Sequence, residues 1–300
     1  MGLTMRIDSQ LGMCVVAACT AAAHAGGGVD LQATVSPVQA QLGTPVLLRL
    51  TGRLGEDPSL PARKYIASRL VWSVRVQSAT TTIEAPLPLQ LRLADASRGE
   101  YEGGLLLMVG ADRSRRFLLM PKPGRYAIQI MLKGGLAVSN TVTVEVLPWA
   151  GTDSPPPSLP TPEDYLFVLH GLTRNVSAAE IRAQRIAEEY AGTLLGRYAS
   201  VRLGLSQIWR TPRGRPTTQD ASRSGPVALE RVRLGARLEV GDPVRQEALH
   251  ALIRFSIHTS DRRMARACLD LLEAEPPGEY SDKIEGLKRW LAEQGRSSSR

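Results

Sequence analysis

Few residues in this chain of 300 have the chemistry of a general base, a nucleophile or a metal ligand. The histidines beyond residue 25 are His170, His250 and His258. Nucleophilic catalysis needs a base beside an activated serine or cysteine, but the chain contains no Gly-x-Ser-x-Gly motif. Cys268 lies on an apolar helical stripe, which favours a buried and inert thiol. These residues therefore do not predict a nucleophilic active site.

Glu247 and His250 form the best candidate for a metal-binding fragment. A Glu-x-x-His spacing puts both side chains on one helical face, but di-iron bundles need this motif twice and two further glutamates. His258 could share the face two turns later, which still falls short of the three protein ligands of a catalytic zinc site. We predict no metal and no cofactor, and an incidental surface pair at Glu247 and His250.

Paired carboxylates do not predict hydrolysis either. Glu100 and Glu102 would point the same way on a strand, but the glycines on both sides of them favour a turn with two solvated acids. The chain also has no Walker or Gly-x-Gly-x-x-Gly phosphate loop. We predict that the protein is not an enzyme, and an uncharacterised hydrolase is the weakest alternative.

The first 25 residues have the three parts of a secretory signal. Arg6 lies in a short polar head, residues 11–23 carry no charge, and Ala23-His24-Ala25 is a small-x-small cleavage site. The apolar run is shorter than the ~20 residues of a membrane span. We predict cleavage after Ala25 and a periplasmic or secreted protein without a transmembrane segment. Because residues 16–19 resemble a lipobox, anchoring through a lipid on Cys19 is the alternative.

The net charge of +8 raises the question of an anionic partner. For an exported protein, nucleic acid is not the expected polyanion, whereas anionic glycan or lipid headgroups are. Most arginines are spread singly, as on solvated faces. Two clusters stand out as a possible polyanion-binding site: Arg113, Arg115, Arg116, Arg210, Arg213, Arg215 and Arg223.

Residues 26–150 show a repeated alternation of apolar and polar residues, which indicates half-buried strands. The alternating sets begin at Val29, Val46, Leu70, Leu87, Tyr126 and Val138, and Asn140 interrupts the last of them. Six or seven short strands in about 120 residues, with no helical pattern between them, predict an antiparallel β-sandwich. Trp72 alternates with Leu70 and Val74 and is predicted to anchor its core.

Several motifs in this half resemble the Ig-like domains of bacterial envelope proteins. These motifs are a Pro-Gly-x-Tyr corner at residues 123–126, a Ser-Asn-x-Val segment at 139–142, and the internal Trp72. The inter-sheet cysteine pair of antibody domains is absent from the sequence. The resemblance implies an Ig-like fold, which hosts adhesion, spacing and docking alike and does not name a function.

After residue 150 the pattern changes. The proline-rich residues 151–162 predict a stiff linker, and residues 163–300 show helical periodicity. Pro162 after Thr161 marks one helix start, Ser177 and Glu180 form a predicted capping box, and Asp242 and Asp261 precede two further helices. One helix, or two meeting near Gly192, is expected between residues 181 and 201. Residues 227–240 alternate like a strand in a helical context, so their fold stays open.

The spacing of Ala265, Leu269, Leu272 and Pro277 is similar to the back half of a tetratricopeptide (TPR) repeat. This similarity covers residues 243–294, and the first helix lacks the Trp and Gly-Tyr positions of the family. It implies TPR-like helical pairs whose stacked surface binds a protein or peptide.

Taken together, the sequence predicts a signal peptide at 1–25, an Ig-like antiparallel β-sandwich at 26–150, a linker at 151–162 and a TPR-like α-helical domain at 163–300. The expected function is non-catalytic protein–protein docking in the bacterial envelope, with another envelope protein or peptide as partner. The alternative is the binding of anionic envelope glycan or lipid through the arginine clusters.

Overall fold

The computed structural model describes residues 30–53, 72–87, 92–95, 100–112, 115–132, 137–148, 159–208, 225–276 and 280–297. Its first half consists of strands and its second half of helices. The predicted signal peptide, most of the linker and the segment 209–224 lie outside the described residues. No described helix is long and apolar enough to cross a membrane.

Two sheets form the β half, named here for residues 30–148. The first sheet has the order β1-β3-β7-β6, and all of its pairs are antiparallel. Its strands are β1 (Asp30–Ser36), β3 (Val46–Arg53), β6 (Arg92–Asp95) and β7 (Glu100–Leu107). The alternating apolar residues of β1, β3 and β7 bury the face of this sheet that points towards the second sheet.

The second sheet has the order β2-β12-β10-β4-β5, and β11 pairs with β10. Its strands are β2 (Gln39–Gln41), β4 (Trp72–Gln77), β5 (Thr82–Leu87), β10 (Gly124–Leu132), β11 (Ala137–Val138) and β12 (Val142–Leu147). The β2–β12 pair is parallel, whereas the prediction was a fully antiparallel arrangement. The remaining hairpin joins β8 (Val109–Asp112) to β9 (Arg115–Leu118).

The inward residues of the two sheets form one hydrophobic core. Trp72 is 1% exposed within it, which confirms the predicted anchor. Its strand β4 lies between β5 and β10, where Trp72 pairs with Leu132 and Val74 pairs with Ile130. The alternating set that begins at Leu87 is not one strand, because β5 ends at Leu87 in the second sheet and β6 belongs to the first.

Asn140 interrupts the last alternating segment for a physical reason. Its side-chain oxygen accepts a hydrogen bond from the Ala33 amide at 2.6 Å, and its side-chain nitrogen donates to the Ala33 carbonyl at 3.1 Å. The preceding Ser139 hydroxyl accepts a bond from the Ile130 amide at 2.9 Å. The Ser-Asn pair therefore ties β1 of one sheet to β10 of the other.

The helical half comprises residues 159–297. Its helices are α1 (Pro162–His170), α2 (Val176–Glu189), α3 (Leu194–Ile208), α4 (Gly225–Gly235), α5 (Pro243–His258), α6 (Arg262–Glu273) and α7 (Ser281–Ser297). Successive helices from α2 to α7 pack against each other, and α3 also contacts α1 and α5. Buried apolar residues of these helices form a second core.

Local side-chain bonds explain the starts of four described helices. Thr161, Asp242 and Asp261 cap α1, α5 and α6 as predicted, since each side chain accepts a bond from a backbone amide of the first turn. The predicted capping box of Ser177 and Glu180 is wrong, because α2 begins at Val176 and already contains Ser177. Its cap is Asn175, whose side chain accepts from the Ala178 amide at 3.1 Å.

Two open questions of the sequence are resolved. The region around Gly192 holds two helices rather than one, and Gly192 has a φ of +80° in the turn between them. Most of residues 227–240 are helical, because α4 extends to Gly235. Ala228 and Val232, which are four residues apart, form its buried face.

The β half and the helical half pack directly against each other. Leu47 of β3 and Leu106 of β7 are register partners on the outer face of the first sheet, and both are buried in the core of the helical half together with Met108. The Tyr165 hydroxyl of α1 donates to the Gly43 carbonyl at 2.8 Å. The two halves therefore share a core across the linker.

Candidate functional site

The Arg202 side chain of α3 joins three helices. It is 4% exposed, and its Nε and Nη2 atoms donate to the carbonyl oxygens of Val168 and Leu169 in the last turn of α1, each at 3.2 Å. Its Nη1 atom donates to Glu247 of α5 at 2.8 Å. Helix C-termini leave carbonyl groups without intrahelical partners. Arg202 satisfies two of these carbonyls and places its charge beside a carboxylate.

Glu247 and His250 do not act as a surface pair. Glu247 binds Arg202, while His250 is 8% exposed and its ring stacks on Tyr280 with 4.6 Å between ring centroids. The prediction of an incidental surface pair is wrong for His250, because Tyr280, just before α7, covers the ring. No group of three or more His, Cys, Asp or Glu residues that could hold a metal ion occurs among the described residues.

Burial keeps two histidines neutral. It lowers the pKa of His170 to about 4, with the Arg202 charge acting in the same direction and Glu247 opposing it. Burial also lowers the pKa of His250 to about 4, assisted by the charges of Lys283 and Arg254. Both groups would be weak bases near neutral pH.

A second polar group joins α3 to the start of α5. Asp242 is 1% exposed, and it accepts hydrogen bonds from the Tyr198 hydroxyl and from the Val244 amide. Burial raises the pKa of Asp242 to about 6, although these bonds favour the ionised form. Burial also raises the pKa of Tyr198, and the charge of Asp242 acts in the same direction. Tyr198 and Asp242 are therefore bonded to each other, and Asp242 also caps α5.

The junction turn, residues 236–242 between α4 and α5, lies against the β half. Glu239 forms an ion pair with Arg49 of β3 at 2.8 Å and accepts a bond from the Ser36 hydroxyl at 2.6 Å. The sequence analysis did not identify this turn. The sequence did contain a signal for this contact in two runs of consecutive apolar residues, 46–48 and 105–107. An outward leucine in an alternating strand indicates that a second layer covers that face of the sheet.

Glu100 and Glu102 of β7 each lie close to an arginine of β3. Glu100 forms an ion pair with Arg53 at 2.8 Å. Burial raises the pKa of Glu102, and the charge of Arg49 partly offsets that effect. Gly103 and Gly104 lie within β7 and do not form the predicted turn, whereas Gly99 lies outside the described residues. In β7, Gly104 lies under the junction turn: an added Cβ would lie 3.1 Å from the Gly241 carbonyl oxygen, which is closer than ordinary van der Waals contact.

Cys268 is 7% exposed, as predicted for an inert thiol. Burial raises its pKa, so the reactive thiolate is disfavoured.

Little of the predicted polyanion site lies within the described residues. Arg116 is exposed and lies 3.9 Å from Glu163 in an ion pair, and Arg115 belongs to β9. The rest of the predicted cluster residues lie outside the described part of the chain: Arg113, Arg210, Arg213, Arg215 and Arg223. Arg115 and Arg116 are therefore the cluster residues that the structure describes.

No protein-family model matches the chain, and comparison with curated proteins finds no match. A solved structure of the Pseudomonas fluorescens alkylpurine DNA glycosylase AlkC, bound to DNA containing an abasic site analog, is 15% identical with a TM-score of 0.26. The similarity covers 41% of this chain and 31% of the glycosylase. BslA, a bacterial hydrophobin, is 15% identical over 42% of this chain and 98% of its own, with a TM-score of 0.18. Neither likeness carries an argument about fold or function.

Proposed function

We propose that this protein is a non-catalytic docking module of the bacterial envelope, in which an Ig-like β half and a TPR-like helical half present one surface to a protein partner. The observation that carries this proposal is that the acid–base side chains described above are bonded to other parts of the protein. Arg202, Glu247, Tyr198 and Asp242 bind one another or backbone groups between helices. Side chains engaged in this way position helices rather than a substrate.

The strand order supports an Ig-like β half. The first sheet follows the A-B-E-D order of Ig sandwiches, and the second contains a neighbouring C-F-G set. Tyr126 near the start of β10 donates its hydroxyl to the Lys122 carbonyl at 2.8 Å, which is the bond of a tyrosine corner. The burial of Trp72 on the interior strand β4 supports its comparison with the core tryptophan of Ig-like domains.

The packing of α5 and α6 supports TPR-like helical pairs. Ala265 of α6 is fully buried, as expected where two helices cross closely, and α7 packs on α6 as a terminal helix. Stacked helical pairs bind extended partners through side chains on their exposed faces.

Exposed apolar side chains on the helical half favour protein docking over the binding of a polyanion. Ile181 of α2 is 74% exposed and Val227 of α4 is 63% exposed. Arg231 of α4 donates to Gln184 of α2 at 2.9 Å, so the two helices that carry them are joined directly. We infer that this side of the helical half contributes to the partner interface.

Crosslinking in the producing cell tests the docking proposal. A photoreactive amino acid at Ile181 should give one discrete adduct with an envelope protein, whereas the same group at Glu145 on β12 should not. Glu145 is a matched control because it is exposed on the β half. A hydrolytic activity of the purified protein that Glu247→Gln abolished, without loss of folding, would contradict the non-catalytic assignment.

Export is part of the proposal and has its own test. The protein isolated from the envelope should begin at Gly26, as read by N-terminal sequencing. A lipid-modified Cys19 would favour the anchored alternative, and an intact Met1 would contradict export.

A further inference from the structure

Five helices of the helical half form two layers. Helices α3 and α5 pack on each other and have buried residues on all sides, as internal helices do. Helices α2, α4 and α6 bury one face each. Hydrogen bonds join these three side by side, from Arg231 to Gln184 at 2.9 Å and from Arg233 to the Met264 sulfur at 3.6 Å. The layer of α2, α4 and α6 is therefore the exposed one of the two.

Helices α2 and α4 run in the same direction. A short turn at 190–193 joins α2 to α3, so these two helices form an antiparallel pair. Helix α4 is antiparallel to α3 as well, because an added Cβ on Gly204 would lie 2.8 Å from Arg231 Cβ, and one on Gly235 would lie 3.0 Å from Val201 Cγ1. Since both are antiparallel to α3, α2 and α4 are parallel to each other.

Two exposed apolar side chains lie at the same level of this parallel pair. Ile181 precedes Gln184 by three residues and Val227 precedes Arg231 by four, so each shares a helix face with the bonded residue and lies about 5 Å nearer the helix N-terminus. Neighbouring helix axes are about 8–10 Å apart, so the two apolar side chains border one groove. The α2–α4 groove is defined here by Ile181, Gln184, Val227 and Arg231.

Arg231 brings a positive charge to this groove. Other arginines of α2 and α4 have a carboxylate partner at ion-pair distance: Arg182, Arg185 and Arg233. Arg231 is half-buried and donates instead to the neutral side-chain oxygen of Gln184. The Gln184 side-chain nitrogen donates to Glu188 at 2.5 Å, but Glu188 lies one turn beyond Gln184, on the side away from Ile181. No carboxylate of the described residues forms an ion pair with Arg231, next to the apolar end of the groove.

We propose that the α2–α4 groove binds an acidic amphipathic segment of the partner, whose apolar side chain packs between Ile181 and Val227 and whose carboxylate bonds to Arg231. A guanidinium group has five donors in a fork that matches a carboxylate, and one of the Arg231 donors is used by Gln184. This partner chemistry rests on the docking function proposed above and adds which side chains the docking surface recognises.

Selection from a random peptide library on the whole protein tests the proposal. The selected peptides should share an aspartate or glutamate close to a leucine, isoleucine or phenylalanine. With Arg231→Glu, the acidic position should change to lysine or arginine while the apolar position persists, because the groove then carries the opposite charge. Arg231→Gln should bind the wild-type peptides about tenfold more weakly in fluorescence titrations, since a charged hydrogen bond is lost.

Arg263→Glu is the matched control. Arg263 is an exposed arginine of α6 outside the groove, so this variant should select the same peptides as the wild type. Ile181→Ser changes a largely exposed side chain, so it should fold as the wild type and fail to bind the peptides. If Arg231→Glu does not fold, Ile181→Ser and the wild type decide, because binding to the wild type should weaken as salt is added.

Peptides without a shared acidic residue, or a consensus that a folded Arg231→Glu leaves unchanged, would overturn the proposal. So would self-association of the wild type that Ile181→Ser abolishes, because the groove would then hold a second copy of the chain. These outcomes leave the docking function standing as long as the photoreactive group at Ile181 still gives its adduct in the cell. Absence of that adduct would instead contradict the docking function itself.

Discussion

Arg202 links α1, α3 and α5 through three bonds of one guanidinium group. Its removal would leave the carbonyl groups of Val168 and Leu169 and the carboxylate of Glu247 without this partner. The loss of one member of a buried charge pair typically costs about 3–5 kcal/mol. At the scale of single residues, this side chain is a buried link between three helices of the helical half.

We expect Arg202→Met to lower the free energy of unfolding by about 3–5 kcal/mol in urea titrations, because the methionine keeps the bulk of the side chain but none of its donors. Arg266→Met is the control. Arg266 forms an exposed ion pair with Asp270 four residues later, so its loss should cost about 0.5 kcal/mol or less. Equal effects of the two variants would show that Arg202 has no special role.

The neutral histidines His170 and His250 should weaken the protein in acid. Their pKa values are lowered on folding to about 4, so between pH 4 and 6.5 the unfolded chain binds their protons more readily than the folded one. Stability is therefore present above pH 6.5 and lost as the pH falls towards 4.

Thermal melting at pH 7.5, 5.5 and 4.5 measures this loss. His250→Gln should reduce the fall in melting temperature over this range, since glutamine does not titrate. An unchanged slope in both His170→Gln and His250→Gln would contradict the assignment of these residues as the acid-sensitive groups.

At the scale of elements, two helical glycines predict opposite effects of the same substitution. An added Cβ at Gly204 of α3 would lie 2.7 Å from the Ala228 carbonyl of α4 and 2.8 Å from Arg231 Cβ. At Gly286 of α7 it would meet nothing within 4 Å. The first glycine is therefore needed for the close approach of α3 and α4, and the second is not.

Gly204→Ala should destabilise the protein by about 1–3 kcal/mol, because overpacking forces the two helices apart. Gly286→Ala should stabilise it by up to about 1 kcal/mol, since alanine is the better helix former. Urea unfolding of both variants measures the difference. A stabilising Gly204→Ala would mean that α3 and α4 are not in close contact.

The sequence predicted those elements whose causes are local. Caps such as Thr161 and Asp242 act within one turn of helix, and strand alternation reflects burial of one sheet face. The partners of Arg202 could not be predicted in this way, because Val168 and Glu247 lie 34 and 45 residues away in the chain. The pairing of Arg49 with Glu239 spans 190 residues and depends on how the two halves pack.

At the scale of the whole molecule, the linker marks a change of structure rather than a separation of bodies. Leu47, Leu106 and Met108 of the β half are buried among residues of the helices, and the junction turn adds an ion pair between the halves. Buried apolar contacts of this kind couple the unfolding of the segments that they join. A docking surface on the helical half would then be held in a fixed orientation to the β half.

The extent of this coupling is the central claim, and hydrogen exchange across a series of urea concentrations tests it most directly. Peptides from residues 124–132 of β10 and 243–258 of α5 should lose protection at the same urea concentration. Leu47→Asp, which places a charge in the shared core, should separate the two transitions. If the wild-type β10 and α5 peptides lose protection at clearly different urea concentrations, the halves are independent bodies and the account of a single rigid docking surface is wrong.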